Sequence, residues 1–402
     1  MRKATSIALT FICINLLMAN SLHAQDHSEL LPLSETAWAG LITCEPSNEL
    51  YTSFSHTALH ICDTARGINL VYNYGTFDFA TPHFVWKFAT RTLDYCISRE
   101  PYVVFFNDYT EQRRAVWEQR LKLSRQEVCN MFVLLEHNYR PENRWYRYDF
   151  FRDNCATRIR DIILASLNHR ELEYPRTDNT GKSYRDIVYT TNANRLWWRF
   201  TIDLALGARC DRDRSTFECA FLPLDMMRQF DTLKVSDTGE PLTEPAVQLL
   251  EDRREPLPRS VSPAATFWLL FFATLALSLL GMKKGWELRA FDFVLYLTPA
   301  LLSLVALFLW FCSEHYCTKW NFNLLWASPL FIYLSPATLI SRRGEIHKRI
   351  YRIVAFVQIA FLLTLVGMTA TGWPQHLNRA ILPIALTLFI RLIAQLYNQK
   401  KH

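Results

Sequence analysis

The pattern of apolar and polar residues divides the chain into two unlike halves near residue 263. In the first half, residues 147–161 (RYDFFRDNCATRIRD) change period at one cysteine. Tyr146, Tyr148, Phe150 and Phe151 form an extended aromatic run, whereas Cys155, Ile159, Ile162, Ile163 and Ser166 share one helical face, so a helix is predicted to begin at the thiol. The stretch NLVYNYGTFDF (69–79) predicts a strand, and PYVVFFNDY (101–109) a second, running into a helix-favouring segment from Thr110. Ser124 and Glu127 have the spacing of a capping box and predict a helix that runs to Tyr139. Beyond residue 180 the pattern is helical and aromatic, with Trp197 and Trp198. Residues 233–262 carry Pro241, Pro245, Pro256 and Pro258 among charges and read as a tether.

From 263 onward the chain alternates long apolar stretches with short polar turns. Each stretch is near the ~20 residues that cross a bilayer, and five are expected, at 263–282, 290–312, 322–340, 353–372 and 379–397. Lys283, Lys284 and Arg289 fall in the first turn, Arg342, Arg343, Lys348, Arg349 and Arg352 in the third, and Lys400 and Lys401 in the tail. The second and fourth turns hold only Lys319 and Arg379. This alternation places the first and third turns and the C-terminus in the cytoplasm, and residues 25–262 outside it. The N-terminus agrees independently: Arg2 and Lys3, the run SIALTFICINLLMA and Leu22-His23-Ala24 read as a signal peptide over 1–24.

Composition changes this picture little. Part of the net charge of +6 is the cytoplasmic bias, so it gives no reason to expect nucleic acid as a partner. Ten cysteines in an oxidising compartment permit disulfides. Cys44, Cys62, Cys96, Cys129, Cys210 and Cys219 are enough for three bridges, with Cys210–Cys219 and Cys312–Cys317 the pairs close in sequence, and Cys155 is left over.

A cysteine at a helix N-terminus meets partial positive charge and unpaired N–H groups, which ease its ionisation and can hold an oxyanion. Arg152 is expected to assist by charge and Asp153 or Asn154 to cap the helix. The base is sought in YTSFSHTALHICD (51–63), where His56 is preferred; His60, four residues along a strand, stands roughly 13 Å away, so both cannot reach one sulfur. Asn73 in the following strand is the expected orienting residue, with Tyr72 and Tyr74 as competitors. Trp320, Asn321, Asn323 and Trp326, on the exported side, are read either as part of a headgroup or acyl entrance or as interfacial anchoring.

SFSHTALHI, NYGTFDF, YDFFRDNCATRIRD and TKWNFNLLWASP together resemble the Lnb-type lipoprotein N-acyltransferases of Bacteroides-like bacteria. The resemblance implies an α+β fold in which a permuted papain-like (NlpC-related) periplasmic domain at 25–232 precedes a tether at 233–262 and a five-helix transmembrane domain at 263–402. It implies Cys155 as nucleophile, His56 as base and Asn73 as orienting residue; Arg152, Asn321 and Asn323 are expected as substrate contacts from their positions in the sequence. It also implies a phospholipid acyl donor, a diacylglyceryl lipoprotein acceptor, contact with membrane lipid, and neither cofactor nor metal. Two positions depart from the family pattern: Ser55 stands where glycine is expected and His60 where arginine is expected.

Other chemistries have little support in the sequence. Cys312, His315 and Cys317 have mixed spacing at a membrane-helix end, a weak zinc signal, and the sparse glycines form no phosphate loop or dinucleotide fingerprint. A thiol hydrolase acting on phospholipid or on peptidoglycan peptides would use the same carbonyl attack. A noncatalytic membrane assembly factor with a degenerate thiol domain is the alternative of a different class.

Overall fold

The computed structural model describes residues 33–49, 52–258, 260–340 and 344–401; the expected signal peptide at 1–24 lies outside these. Seven strands form one antiparallel sheet: β1 (Trp38–Cys44), β2 (His56–Asp63), β3 (Ile68–Thr76), β4 (Asp94–Pro101), β5 (Val116–Arg120), β6 (Trp145–Arg147) and β7 (Val247–Leu250), ordered β6-β4-β3-β2-β1-β5-β7. The central strands β1 and β2 are buried on both faces, which is why their sequences lack a clean alternation.

A short helix α1 (Phe84–Thr90) lies between β3 and β4, and α2 (Tyr102–Glu111) follows β4. Helices α3 (Arg125–Tyr139) and α4 (Cys155–Ser166) cover one sheet face, packing Met131, Leu135, Ile159 and Ile163 against Leu41, Leu59 and Ile61. Each such aliphatic side chain, fully buried, contributes roughly 1.5–3 kcal/mol. On the other face, Phe105 and Tyr109 of α2 meet Ile42, Cys44, Ala58 and Val71.

Three expectations for this half are corrected. Residues 101–109 are not a strand: Pro101 ends β4 and caps α2, and the four-residue spacing of buried Phe105 and Tyr109 makes the helical period prevail over β propensity. The segment after Thr110 leaves the helix at Glu111 and supplies strand β5. The expected tether contributes β7, which pairs with β5, and Leu242 is fully buried, so the segment up to Leu250 belongs to the sheet. By contrast, the predicted capping box at α3 is present: Glu127 N–H bonds Ser124 Oγ, and Glu127 Oε2 accepts Ser124 N–H at 2.8 Å.

Helices α5 (Tyr184–Thr191), α6 (Leu196–Ala205), α7 (Thr216–Cys219) and α8 (Pro223–Phe230) follow, then α9 (Pro263–Lys284), α10 (Arg289–Phe311), α11 (Leu330–Ala337), α12 (Glu345–Thr371) and α13 (Ile381–Lys401). Among the described residues four helices, α9, α10, α12 and α13, are long and apolar enough to cross a membrane. Within the stretch expected as the third span lie a 3-10 turn at Phe322–Leu325 and the shorter helix α11, which begins after Pro329 and contains Pro336. Proline lacks an N–H donor and interrupts the helix that hydropathy alone suggests.

Helix α6 joins the halves. Phe200 is buried in the core of the bundle with Tyr296, Phe331 and Tyr351. The last carbonyls of α6, which have no partner inside the helix, are met by bundle amides: Asn323 Nδ2 donates to Asp203 O (2.9 Å), Asn321 Nδ2 to Leu204 O (2.8 Å) and Gln375 Nε2 to Leu206 O (2.9 Å). None of the disulfides that the sequence permits is formed among the described residues. The cysteines suspected of pairing are free thiols, and Cys210, near Cys219 in sequence, points its sulfur at the Cys317 carbonyl.

Candidate active site

Cys155 is the first residue of α4, as the change of period predicts. Asn154 caps the helix: its Oδ1 accepts from Thr157 N–H (2.9 Å), its own N–H donates to Thr157 Oγ1 (2.8 Å), and its Nδ2 donates to Phe150 O and Phe221 O. A buried cap bonded in four directions fixes the helix start and with it the thiol. Asp153, the other capping candidate, instead pairs with Arg158 at 2.6 Å.

The sulfur lies at the mouth between β2 and β3. The backbone N–H groups of Thr57, Ala156 and Cys155 itself favour its thiolate form, and Thr57 directly follows His56 at the start of β2. Opposite that point, β3 is irregular between Tyr74 and Thr76, and Gly75 has φ +94°. A Cβ on Gly75 would stand 3.8 Å from Cys155 Cβ and 3.6 Å from the Tyr148 ring, so the missing side chain leaves room for the thiol.

His56 stands at the same end of the sheet. Its Nε2 is 3.0 Å from Asn73 Oδ1, and Asn73 Nδ2 donates to Glu100 Oε1 at 2.9 Å. Because the carboxylate takes the amide's N–H, Asn73 presents its oxygen to the imidazole, which therefore carries its proton on Nε2 and keeps a lone pair on Nδ1. Tyr72 and Tyr74 point away, to Glu136 and Asn138. His60 is committed elsewhere, held between Glu118 (2.7 Å) and Asn69 (2.6 Å) and stacked on Tyr102. Glu100 was not foreseen from sequence; its only signal is a polar residue at the end of a strand, visible once β4 is placed before Pro101.

Burial sets the charge states. It lowers His56 to about 4, against the opposing effect of the hydrogen bond that Nε2–H donates to Asn73 Oδ1. It raises the Cys155 thiol to about 11, outweighing the three N–H groups that favour the thiolate. The helix start supplies the expected donors, yet the Cys155 thiol and the His56 imidazole are both neutral at rest.

The remaining expected contacts lie elsewhere. Arg152 does not serve the sulfur: it bonds Asp149 Oδ2 at 2.8 Å and stacks over Tyr316, in the segment between α10 and α11, at 4.3 Å. Asn321 and Asn323 are buried and spent on the α6 carbonyls, so neither faces an entrance. Ser55 has φ 72°, the left-handed conformation for which glycine is expected there. His315 bonds the Phe88 carbonyl at 3.0 Å.

Residues 32–188 match the family model described as the Lnb N-terminal periplasmic domain, and residues 255–402 match the Lnb transmembrane domain. No curated protein and no solved structure matches the chain. The first match spans the histidine strand, the asparagine strand and the thiol helix, and the second spans the apolar helices that follow. Matched in this order over most of its length, the chain belongs to the Lnb family and is a lipoprotein N-acyltransferase-like membrane protein.

Proposed function

We propose that this protein transfers an acyl chain from a phospholipid to the α-amine of a diacylglyceryl-cysteine lipoprotein, through a thioester on Cys155. The observation that carries this reading is the placing of the Cys155 thiol at the start of α4, against the strand end where Asn73 Oδ1 orients the His56 imidazole at 3.0 Å. The helix-start thiol and strand-start histidine also support the permuted papain-like reading of the domain.

With both groups neutral at rest, His56 Nδ1 takes the thiol proton as the sulfur attacks the ester carbonyl. The N–H groups of Cys155 and Ala156 at the helix start are the donors for the developing oxyanion. The C–O bond breaks, and the lysophospholipid alkoxide leaves with the proton from His56. In the second half the lipoprotein amine attacks the thioester, His56 accepts its proton, the C–S bond breaks and the thiolate is reprotonated. Both substrates are lipid-anchored, so membrane helices joined to the thiol domain hold donor and acceptor at one surface. In this reading the thiol domain lies on the periplasmic side of the inner membrane and the C-terminus in the cytoplasm.

Mass spectrometry of lipoprotein N-termini tests the proposal. A strain lacking the protein is expected to accumulate lipoproteins with a free α-amine, and neither Cys155→Ala nor His56→Ala restores acylation. Unchanged N-acylation in a strain without a second such enzyme excludes the transferase. A Cys155 thioester discharged by water at the same rate with or without amine acceptor identifies a hydrolase instead.

A further inference from the structure

Cys155 is only 8% exposed, so a phospholipid carbonyl needs a guided approach to it. We propose that α1 is an in-plane helix of the outer leaflet, and that the aromatic side chains running from it to Cys155 form the entry route of the donor's acyl chain. This deepens the acyl-transfer reading and rests on it for the identity of the reaction.

Helix α1 and the turn before it expose an apolar cluster: Phe79 (60%), Val85 (78%), Trp86 (60%) and Phe88 (53%). An apolar cluster of this kind on a water-facing domain marks a binding surface. Its level relative to the bilayer is fixed by α10. The Trp86 ring lies 5.2 Å from that of Phe308, which is inside the apolar span Arg289–Phe311. Two further bonds hold α1 to the outer end of this span: His315 Nε2 to Phe88 O (3.0 Å) and Glu314 N–H to Thr90 O (3.2 Å). Phe308 is three residues from the helix end, about 4.5 Å along the axis at the helical rise. A side chain touching it is therefore at the depth of the upper acyl chains. The exposed face of α1 continues the lipid-facing surface of α10, where Leu304, Val305 and Phe311 are exposed, so its occupant is lipid and not a soluble peptide.

A line of rings leads inward from this helix. Phe79 and Phe84 pack on Phe77 (4.8 and 5.7 Å), Phe77 on Tyr95 (5.2 Å), and Tyr95 stacks on Tyr148 (4.5 Å). Tyr148 borders Gly75, the position that also faces Cys155. Arg91, directly after α1, ties the two ends of the route together: its Nε donates to Tyr148 O at 2.9 Å and approaches Asp149 at 3.7 Å. The ring contacts make a continuous apolar line from α1 to the thiol, a surface that suits an acyl chain once side chains move apart to admit it.

The test uses the full chain in phosphatidylethanolamine vesicles containing a phosphatidylethanolamine with a diazirine near the end of one acyl chain. After irradiation, label is expected on the peptides that contain residues 77–90 and on Tyr95 or Tyr148. In the double variant Val85→Glu with Phe88→Glu, the rate of Cys155 acylation from vesicles, relative to that from a water-soluble p-nitrophenyl ester, is expected to fall about tenfold or more. Label confined to the long apolar helices, together with an unchanged ratio, overturns the proposal. If the unmodified chain takes no acyl group on Cys155 from either substrate, the acyl-transfer reading fails, and the label map alone decides whether α1 lies in the leaflet.

Discussion

Asn73 bridges two side chains: its Oδ1 meets His56 Nε2 at 3.0 Å while its Nδ2 donates to Glu100 Oε1 at 2.9 Å. The carboxylate fixes the amide's orientation, the amide fixes the tautomer, and the tautomer leaves Nδ1 as base. Asn73→Ala is expected to lower the acyl-transfer rate about tenfold to a hundredfold, less than the ~10²–10⁴ that His56→Ala removes with the base itself. Because Asn73 acts through His56, KM for the phospholipid should hold while kcat falls. A loss confined to KM in steady-state assays would assign Asn73 to substrate binding.

The neutral resting pair has a pH signature. His56, lowered to about 4, is an unprotonated base throughout the neutral range, and activity is lost only as acid protonates it. The acid limb of kcat/KM should therefore fall near pH 4, well below the usual histidine value of ~6.5. Cys155, raised to about 11, should react with iodoacetamide slowly at pH 7 and faster as pH approaches 11. A plateau of fast alkylation between pH 5 and 8 would reveal a thiolate–imidazolium pair and sink this assignment.

Ser55 and Gly75 take opposite sides of one backbone argument. Ser55 adopts φ 72° with a Cβ, and its buried Oγ has no hydrogen-bond partner. Ser55→Gly removes a left-handed penalty of ~1–2 kcal/mol while adding glycine's unfolded-state entropy of ~0.5–1 kcal/mol, so it should be neutral to stabilising. Gly75→Ala places a Cβ at φ +94° and 3.8 Å from Cys155 Cβ, and should destabilise by ~1–3 kcal/mol and slow the thiol. Thermal unfolding and acylation rates for the two variants check the opposite signs.

The extent to which these features are legible in sequence follows from their range. Cys155 and its helix depend on local period, and Ser124 with Glu127 on local capping, so both could be read directly. His56 could be preferred over His60 because strand geometry separates them, and the structure gives His60 other partners. Glu100 could not be read, since it reaches Asn73 only through the pairing of β3 with β4. Residues 101–109 misled because Val103, Val104, Phe105 and Phe106 favour strands locally, while burial against the sheet selects a helix. The third apolar stretch was legible as apolar, but its division into a 3-10 turn and a shorter helix was not, because hydropathy does not register what Pro329 and Pro336 do to backbone bonding. Asn321 and Asn323 looked like entrance residues because nothing local shows that α6 ends beside them.

That junction is itself open to test at Gly207. A Cβ there would stand 2.0 Å from Lys319 O and 2.8 Å from Lys319 C, contacts with backbone that no side-chain rotation relieves. Gly207 N–H also donates to Cys317 O (2.8 Å) and Ala208 N–H to Trp320 O (2.9 Å), so the clash falls where the N-terminal half is bonded to the segment between α10 and α11. Overpacking typically costs ~1–3 kcal/mol, and a rigid carbonyl as the obstacle puts Gly207→Ala at the upper end. The sheet core lies in a separate cluster and should survive the substitution. The expected outcome is faster proteolytic cleavage within 312–320 with cleavage in the sheet strands unchanged, and slower acylation from vesicles because the thiol domain is less firmly held at the lipid surface. Equal cleavage of loop and strands would mean that Gly207 supports the whole fold and not its docking.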